Sequence, residues 1–340
     1  MSDALKVVFL TERGPRHQQA ALAAAPEEVR VAMLHQPART DLLAELADAA
    51  VLVSERAGVV DAEMIAAAPR LRLIQRQGSL VYDIDLAAAQ QAGVAVCTRS
   101  VTGCVMVAEH MLMQMLALTK RLPVVSRLAL AADDWERPSR RTDESVFAYN
   151  WTRRTDVGGL YGQTVGIWGF GEIGAELTRR LAAFAPTQVF YAKRQRLPAA
   201  AEAELGVVYA EPDAMLPVVD CLCVLLPYSA ETDLALNAAT FAAMKPGALV
   251  VHCGSGSVID EAALADAVRT GHLGGAALDT YEWEPLRPDN SLVTLGRDPA
   301  MNVLLTPHTA ASTRGGGGRR GDWTNVRRLI AGEPLVNRVV

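Results

Sequence analysis

The feature that most constrains this chain lies between Thr164 and Ala192. The apolar run Thr164–Trp168 passes directly into Gly169-Phe170-Gly171-Glu172-Ile173-Gly174, then into a helical stretch, Ala175–Phe184, and a second apolar run, Gln188–Ala192. A strand, a glycine turn, a helix and a parallel strand in that order form a right-handed crossover unit. The three glycines have separate duties: Gly169 permits the tight turn, Gly171 lets backbone approach a pyrophosphate, and Gly174 lets helix and strand pack closely. The free N–H groups and positive dipole end of the helix then face an anion. The unit therefore predicts a dinucleotide-binding domain in which Trp168, Gly169, Phe170, Gly171, Glu172, Ile173 and Gly174 line the cofactor.

The same alternation of short apolar runs and alanine-rich helical stretches extends in both directions. Val7–Leu10, Val29–Leu34, Val51–Ser54, Leu71–Gln75 and Val94–Cys97 read as strands. Between them, 18–25, 41–49, 61–67 and 86–92 read as helices, several opened by an aspartate able to cap the first turn. A long helical pattern over 102–122 is closed by Pro123. A polar, arginine-rich loop over 133–159 follows, long enough to be functional or an interface arm. Beyond the glycine turn, strands are expected at Val207–Tyr209, Cys221–Leu225, Ala248–His252, Gly275–Leu278 and Asn302–Leu305, and a final helix over 322–330. The fold class is α/β, with two doubly wound parallel-sheet (Rossmann-like) domains.

Composition narrows the function. Half of the 340 residues are apolar, 21% are charged and the net charge is −5. An acidic chain lacks the basic surface that phosphate neutralisation requires, so no nucleic acid is expected as a partner. The run Gly315–Gly318, with arginines on either side, reads as a flexible loop. No signal peptide is visible, and the most apolar stretch, 104–119, is interrupted by Glu109 and His110, so no membrane association is expected. The five cysteines, Cys97, Cys104, Cys221, Cys223 and Cys253, form no CxxC pair and read as buried structural thiols in a reducing, cytoplasmic compartment. No metal site is expected.

The end of the second strand of the unit discriminates between dinucleotides. An acid there accepts from the adenosine ribose hydroxyls and repels a 2′-phosphate. This chain instead has Lys193-Arg194-Gln195-Arg196. Cations at this place form charge-assisted bonds with a phosphate, which favours NADP(H) over NAD(H), with Lys193 and Arg194 as the contacts.

With these motifs assembled, the chain resembles the D-isomer-specific 2-hydroxyacid dehydrogenase family. The resemblance runs from about Val51 to the C-terminus. Its motifs, in order, are Gly78-Ser-Leu-Val-Tyr-Asp-Ile-Asp85, Ala108-Glu109, the glycine turn, Met244-Lys-Pro-Gly247, Val258-Ile-Asp-Glu-Ala-Ala-Leu264, Gly275-Ala-Ala-Leu-Asp279, Glu284-Pro285 and Thr306-Pro-His308. The Tyr191–Gln195 stretch is similar to that of the NADPH-using glyoxylate and hydroxypyruvate reductases of the family. The resemblance implies a nucleotide domain, 106–299, inserted into a substrate domain made of 1–105 and 300–340. It also implies a small-molecule substrate bound in a cleft between domains, and a homodimer joined through the nucleotide domains. His308 matches the family's proton-exchanging histidine and Glu284 the carboxylate that orients it. Gly78, Ser79 and Leu80 match its backbone cradle for the substrate carboxylate. Thr232, Cys253, Gly254 and Asp279 match cofactor-facing positions, Asp279 near the nicotinamide.

One position departs from the family. The arginine that grips the substrate carboxylate precedes a glycine ahead of the Val258–Leu264 segment, and here that place is held by Ser255. A serine supplies no bidentate, charge-assisted grip. Three readings stay open: a cation from elsewhere replaces it (His252, Arg76, Arg99 or Arg314), the substrate lacks a carboxylate there, or the protein binds a dinucleotide without turnover as a sensor or scaffold.

Overall fold

A computed structural model describes residues 4–55, 58–133, 139–312 and 318–340. The chain divides into two compact units, 1–104 with 312–340, and 105–311. Each is built on a wholly parallel sheet flanked by helices.

In the first unit, β1 (Leu5–Thr11), β2 (Val29–His35), β3 (Val51–Glu55), β4 (Leu73–Gln77) and β5 (Ala95–Arg99) form a five-stranded sheet in the order β2-β1-β3-β4-β5. Both faces are covered, so the strands are near-continuous apolar runs rather than alternating ones. Val7, Phe9, Val51, Val53, Leu73, Ala95 and Cys97 pack on one face against Trp323 and Val326. Val8, Leu10, Leu52, Ile74 and Val96 fill the other with Leu46, Met64 and Ile65. The C-terminal segment returns along the β5 edge, where Thr98 N–H donates to Asn337 and Val339 N–H to Val96.

In the second unit, β6 (Thr164–Trp168), β7 (Gln188–Ala192), β8 (Val208–Tyr209), β9 (Cys221–Val224), β10 (Leu249–His252), β11 (Gly275–Leu278) and β12 (Val303–Leu305) form a seven-stranded sheet. Its order is β12-β11-β10-β9-β6-β7-β8. The chain therefore reverses its winding between β6 and β9, and the glycine turn leaves β6 at this switch point, where doubly wound sheets bind ligands.

The structure corrects the sequence reading in several places. The second domain boundary lies at 311/312 instead of 299/300, because β12 pairs with β11 from Ala276↔Val303 to Leu278↔Leu305. His308, on the segment that follows β12, consequently belongs to the nucleotide-binding unit. Pro123 does not close a helix. The helix Thr102–Thr119 ends earlier, Arg121 takes a left-handed φ of 49°, and Pro123 sits in the first turn of a new helix, Leu122–Ala131, where its missing N–H costs nothing. The helix after the glycine turn begins at Glu172, directly on its N-cap Gly171, and ends as a 3₁₀ turn over Ala182–Phe184.

Strands β3, β4 and β5 also run further than their apolar residues, ending in Glu55, Gln77 and Arg99. These polar ends are tied together by the tail. Glu55 accepts from Thr11 Oγ1 at 2.9 Å and from Arg319 at 2.7 Å, and Arg99 meets Asp322 at 2.6 Å. Arg314 and 315–317 lie outside the described residues, as does 134–138 of the arginine-rich loop; Gly318 caps the 3₁₀ turn Arg319–Trp323. All five cysteines are free thiols, and four are buried.

Candidate active site

The glycine turn is shaped by close backbone passages. Gly169 has a φ of 92°, and a Cβ there would stand 2.6 Å from the backbone of Leu225 and Leu226. A Cβ on Gly174 would meet the Phe170 ring at 2.9 Å. Gly171 differs: nothing lies within 4 Å of where its Cβ would be, it is exposed, and it caps the helix Glu172–Leu181. Open space above a helix N-terminus, lined by backbone N–H groups, fits a pyrophosphate. Trp168 closes β6 half-buried, Phe170 is buried, and Glu172 and Ile173 are half-buried in the first helical turn. The residues present thus fit a dinucleotide.

The loops that leave β9, β10 and β11 stack on this turn. A Cβ on Gly254 would stand 2.7 Å from Leu226 O, so Leu226 is approached by glycines from two loops. A Cβ on Gly256 would overlap the Tyr281 carbonyl outright. Ser255, between these glycines, is half-buried, and its N–H donates to Leu226 O at 2.9 Å. Thr232 folds its own loop, accepting from Ser229 N–H and donating to Pro227 O, both at 2.7 Å. Cys253 Sγ lies 3.4 Å from Gln114 Oε1, and burial pushes its thiol well above the usual range.

His308 and Glu284 are brought together. His308 Nδ1 lies 2.7 Å from Glu284 Oε2, and Glu284 Oε1 accepts Tyr281 N–H at 3.1 Å. Nδ1 facing the carboxylate leaves Nε2 turned away from it, available to a reacting oxygen. His308 has a left-handed φ of 52°. The loop that carries it is held by Asp279, which is 1% exposed. The two Asp279 oxygens accept from Thr306 Oγ1 at 2.7 Å, Thr309 N–H at 2.9 Å and Ala310 N–H at 2.8 Å. His110 Nε2 lies 3.0 Å from Thr306 Oγ1. Asp279, expected beside a nicotinamide, therefore has its carboxylate bound to the histidine loop. Glu261 does the corresponding work for the Glu284 loop, accepting Glu282 N–H at 3.0 Å and pairing with Asn290.

Sequence reasoning missed these supports. His110 had left a signal as a polar break in an apolar helix and Glu261 lay within the Val258–Leu264 motif without an assigned role, whereas Gln114 had none. Lys193 is half-buried and Arg194 exposed at the end of β7. Gly78, Ser79 and Leu80 belong to the first unit, where Gly78 follows β4 and accepts Arg99 N–H.

Two of the proposed replacement cations are engaged elsewhere. Arg76 is buried and paired with Asp83, Arg99 with Asp322, and Arg314 lies outside the described residues. His252 is fully buried in β10 beside the Ser255 backbone, without a hydrogen-bond partner for either ring nitrogen among the described residues. Burial pushes it down to about 4, so it is neutral near pH 7. Among the described residues no helix is long and apolar enough to cross a membrane.

Comparison with known proteins follows the same lines. Residues 112–310 match the family described as "D-isomer specific 2-hydroxyacid dehydrogenase, NAD binding domain". D-3-phosphoglycerate dehydrogenase of Mycobacterium leprae is 34% identical over 318 residues, covering 93% of this chain and 56% of that protein. The Archaeoglobus fulgidus D-3-phosphoglycerate dehydrogenase is 34% identical over 280 residues, 81% of this chain and 48% of that one. The chain thus spans about half the length of these relatives. Among solved structures, an NADPH-dependent glyoxylate/hydroxypyruvate reductase from Sinorhizobium meliloti, in complex with NADP and malonate, aligns with a TM-score of 0.52 and 25% identity over 99% of this chain and 97% of that one. Rhodotorula graminis D-mandelate dehydrogenase, 22% identical with a TM-score of 0.56 over 99% and 98% of the two chains, shares the fold.

Two outcomes are expected from this geometry. Gly256→Ala forces two backbones apart, and overpacking of this kind costs about 1–3 kcal/mol, to be read as a lowered urea midpoint; an unchanged midpoint would disprove the close passage. His252, lowered on folding from 6.5 to about 4, binds its proton more readily in the unfolded chain. Its contribution is intact above pH 6.5, falls away as the pH drops toward 4, and totals on the order of 3 kcal/mol. Urea midpoints followed between pH 7 and 4 should fall less steeply in His252→Gln than in wild type, and parallel curves would refute this assignment.

Proposed function

Because the chain belongs to the D-isomer specific 2-hydroxyacid dehydrogenase family, we propose that it is an oxidoreductase transferring hydride between NADP(H), in preference to NAD(H), and a small carbonyl or hydroxy substrate. We propose further that this substrate presents no carboxylate to Ser255. The observation that carries the reading is the 2.7 Å His308–Glu284 pair, set in the same unit as the glycine turn. A protein that only bound a dinucleotide would have no use for an oriented imidazole.

The dinucleotide would rest on Gly169 to Gly174, with Thr232, Cys253 and Gly254 on the neighbouring loops, and would supply or accept the hydride. This chain's own chemistry is the proton. Nδ1–H of His308 donates to Glu284, the carboxylate stabilises the charged ring, and Nε2 gives a proton to the substrate oxygen or takes one from it. Asp279 fixes the loop on which this occurs. Gly78, Ser79 and Leu80 are assigned as backbone contacts for the substrate. Lys193 and Arg194 support the choice of NADP(H), because neither position carries the acid that would select ribose hydroxyls.

Ser255 decides the substrate. Removing a charge-assisted grip from a water-excluded site lowers the rate on the order of a hundredfold or more. The described candidates for replacing that cation are committed elsewhere or neutral, which favours a substrate with an uncharged group in this place.

A homodimer through the nucleotide-binding unit is part of the same proposal. Within that unit Leu130, Phe147, Tyr149 and Tyr161 are 74–83% exposed, large apolar side chains of the kind a partner surface covers. Light scattering is expected to give twice the chain mass, shifting to the monomer in Phe147→Ser/Tyr149→Ser; a monomeric wild type would overturn this point. The five free thiols fit a cytoplasmic location.

Turnover tests the central reading. Glyoxylate, hydroxypyruvate and a panel of uncharged carbonyls should be offered with NADPH and with NADH to wild type, Ser255→Arg and His308→Gln. Wild type is expected to favour the uncharged carbonyls with NADPH. Ser255→Arg should shift preference toward the 2-oxo acids, and His308→Gln should lose about 100-fold or more in kcat. If wild type is inert on every substrate and Ser255→Arg restores activity, a dinucleotide binder without turnover is the correct description.

A further inference from the structure

The three cations that follow β7 are not equivalent. Arg196 is gripped by Glu202 through two parallel bonds, Nε to Oε1 and Nη2 to Oε2, both 2.8 Å long. Its guanidinium also lies 5.6 Å from the centre of the Tyr209 ring. Glu202, in the first turn of the helix Ala199–Leu205, accepts a second bond to Oε1 from the buried Tyr191 hydroxyl at 2.7 Å. The Tyr191 oxygen in turn accepts Leu197 N–H at 2.8 Å. Tyr191 packs 4.9 Å from Phe170 of the glycine turn and 5.5 Å from Tyr209. Phe170, Tyr191, Glu202 and Arg196 thus form one continuous group that closes the turn 193–197 onto the cofactor turn. Arg194, two residues earlier, is exposed and makes no ion pair among the described residues.

Glu202 is a carboxylate tied by its Arg196 and Tyr191 bonds to β7 and the turn that follows it, the turn at whose start a carboxylate ordinarily selects ribose hydroxyls and repels a 2′-phosphate. Arg196 and the Tyr191 hydroxyl hold it down to about 2, so it carries its charge throughout the neutral range. Left alone, that charge would oppose the preference that Lys193 and Arg194 create. A bidentate guanidinium cancels it at contact distance and, being planar, fixes its direction as well.

We propose that Arg196 is a specificity-determining residue that acts by masking Glu202. Through this pairing it removes a carboxylate's field from the adenosine-end phosphate site, where the exposed Arg194 is the cation left to meet a 2′-phosphate. This rests on the NADP(H) reading above and adds a division of labour: Arg194 for the ligand, Arg196 for the protein's own acid.

A double-mutant cycle on the whole chain separates masking from direct contact. Dissociation constants would be measured by tryptophan fluorescence and calorimetry for NADPH, NADH and the fragment 2′,5′-ADP, which lacks the nicotinamide. Arg196→Gln should weaken NADPH and 2′,5′-ADP about tenfold while leaving NADH within about twofold. Glu202→Gln, which keeps the Tyr191 hydrogen bond, should bind NADPH at least as well as wild type. The double variant Arg196→Gln/Glu202→Gln should recover NADPH affinity to within about threefold of wild type, because no acid is left to mask. Arg196→Lys, which keeps the charge, should stay near wild type.

If Arg196 instead touches the phosphate, the double variant stays as weak as Arg196→Gln, and masking is overturned. A wild type that binds NADH more tightly than NADPH is a different failure. It refutes the cofactor preference itself, and the inference with it. NADPH preference in wild type without recovery in the double variant refutes the inference alone.

Discussion

Everything in the candidate site depends on backbones that touch without side chains between them. Gly169 and Gly254 let the loops after β6 and β10 close on Leu225–Leu226, and Gly256 lets the β10 loop pass against Tyr281. Four loops from the carboxyl ends of β6, β9, β10 and β11 are thereby locked at van der Waals distance. The position of Ser255 relative to the glycine turn, and of the Glu284 loop relative to Ser255, follows from these passages rather than from side-chain packing. Pre-organisation of this kind is what proton-transfer geometry needs, since small displacements cost large factors in rate.

A second layer of polar contacts carries that rigidity to the titrating groups. Asp279 accepts from a hydroxyl and two backbone N–H groups of the segment Thr306–Ala310, which fixes the loop on which His308 sits. Glu261 fastens the Glu282 N–H beside Glu284. Both carboxylates are nearly inaccessible, so their hydrogen bonds are made in a weakly screening environment, where an unsatisfied partner would be costly. The His308–Glu284 pair itself is much more open.

The sheets were legible because strands covered on both faces are continuous apolar runs, and β6, β7 and β11 begin and end where those runs do. The pattern failed where burial was achieved by pairing. Glu55, Gln77 and Arg99 look like loop residues in sequence, yet they end strands because Arg319 and Asp322, more than two hundred residues away, satisfy them. Pro123 misled for a related reason: its chemistry ends one helix or begins another, and only the left-handed turn at Arg121 decides which. The domain boundary was missed because β12, although legible as a strand, was placed by the resemblance in the substrate domain, whereas its pairing with β11 puts it in the second unit. In the site, motif order identified His308 and Glu284, but their 2.7 Å contact, and the use of Asp279 as its support, are properties of three dimensions.

Charge explains why the departure at Ser255 is more than one missing contact. An arginine there would bring a permanent positive charge into the loop after β10, where Gly254 and Gly256 hold the chain against Leu226 and Tyr281. Serine brings none, and His252, three residues earlier in β10, is kept neutral by burial. The loop therefore offers an anion no full charge of its own, only a hydroxyl and backbone groups held in place by two close passages. Rigidity survives the exchange at Ser255 while charge does not, which separates the shape of this loop from its chemistry.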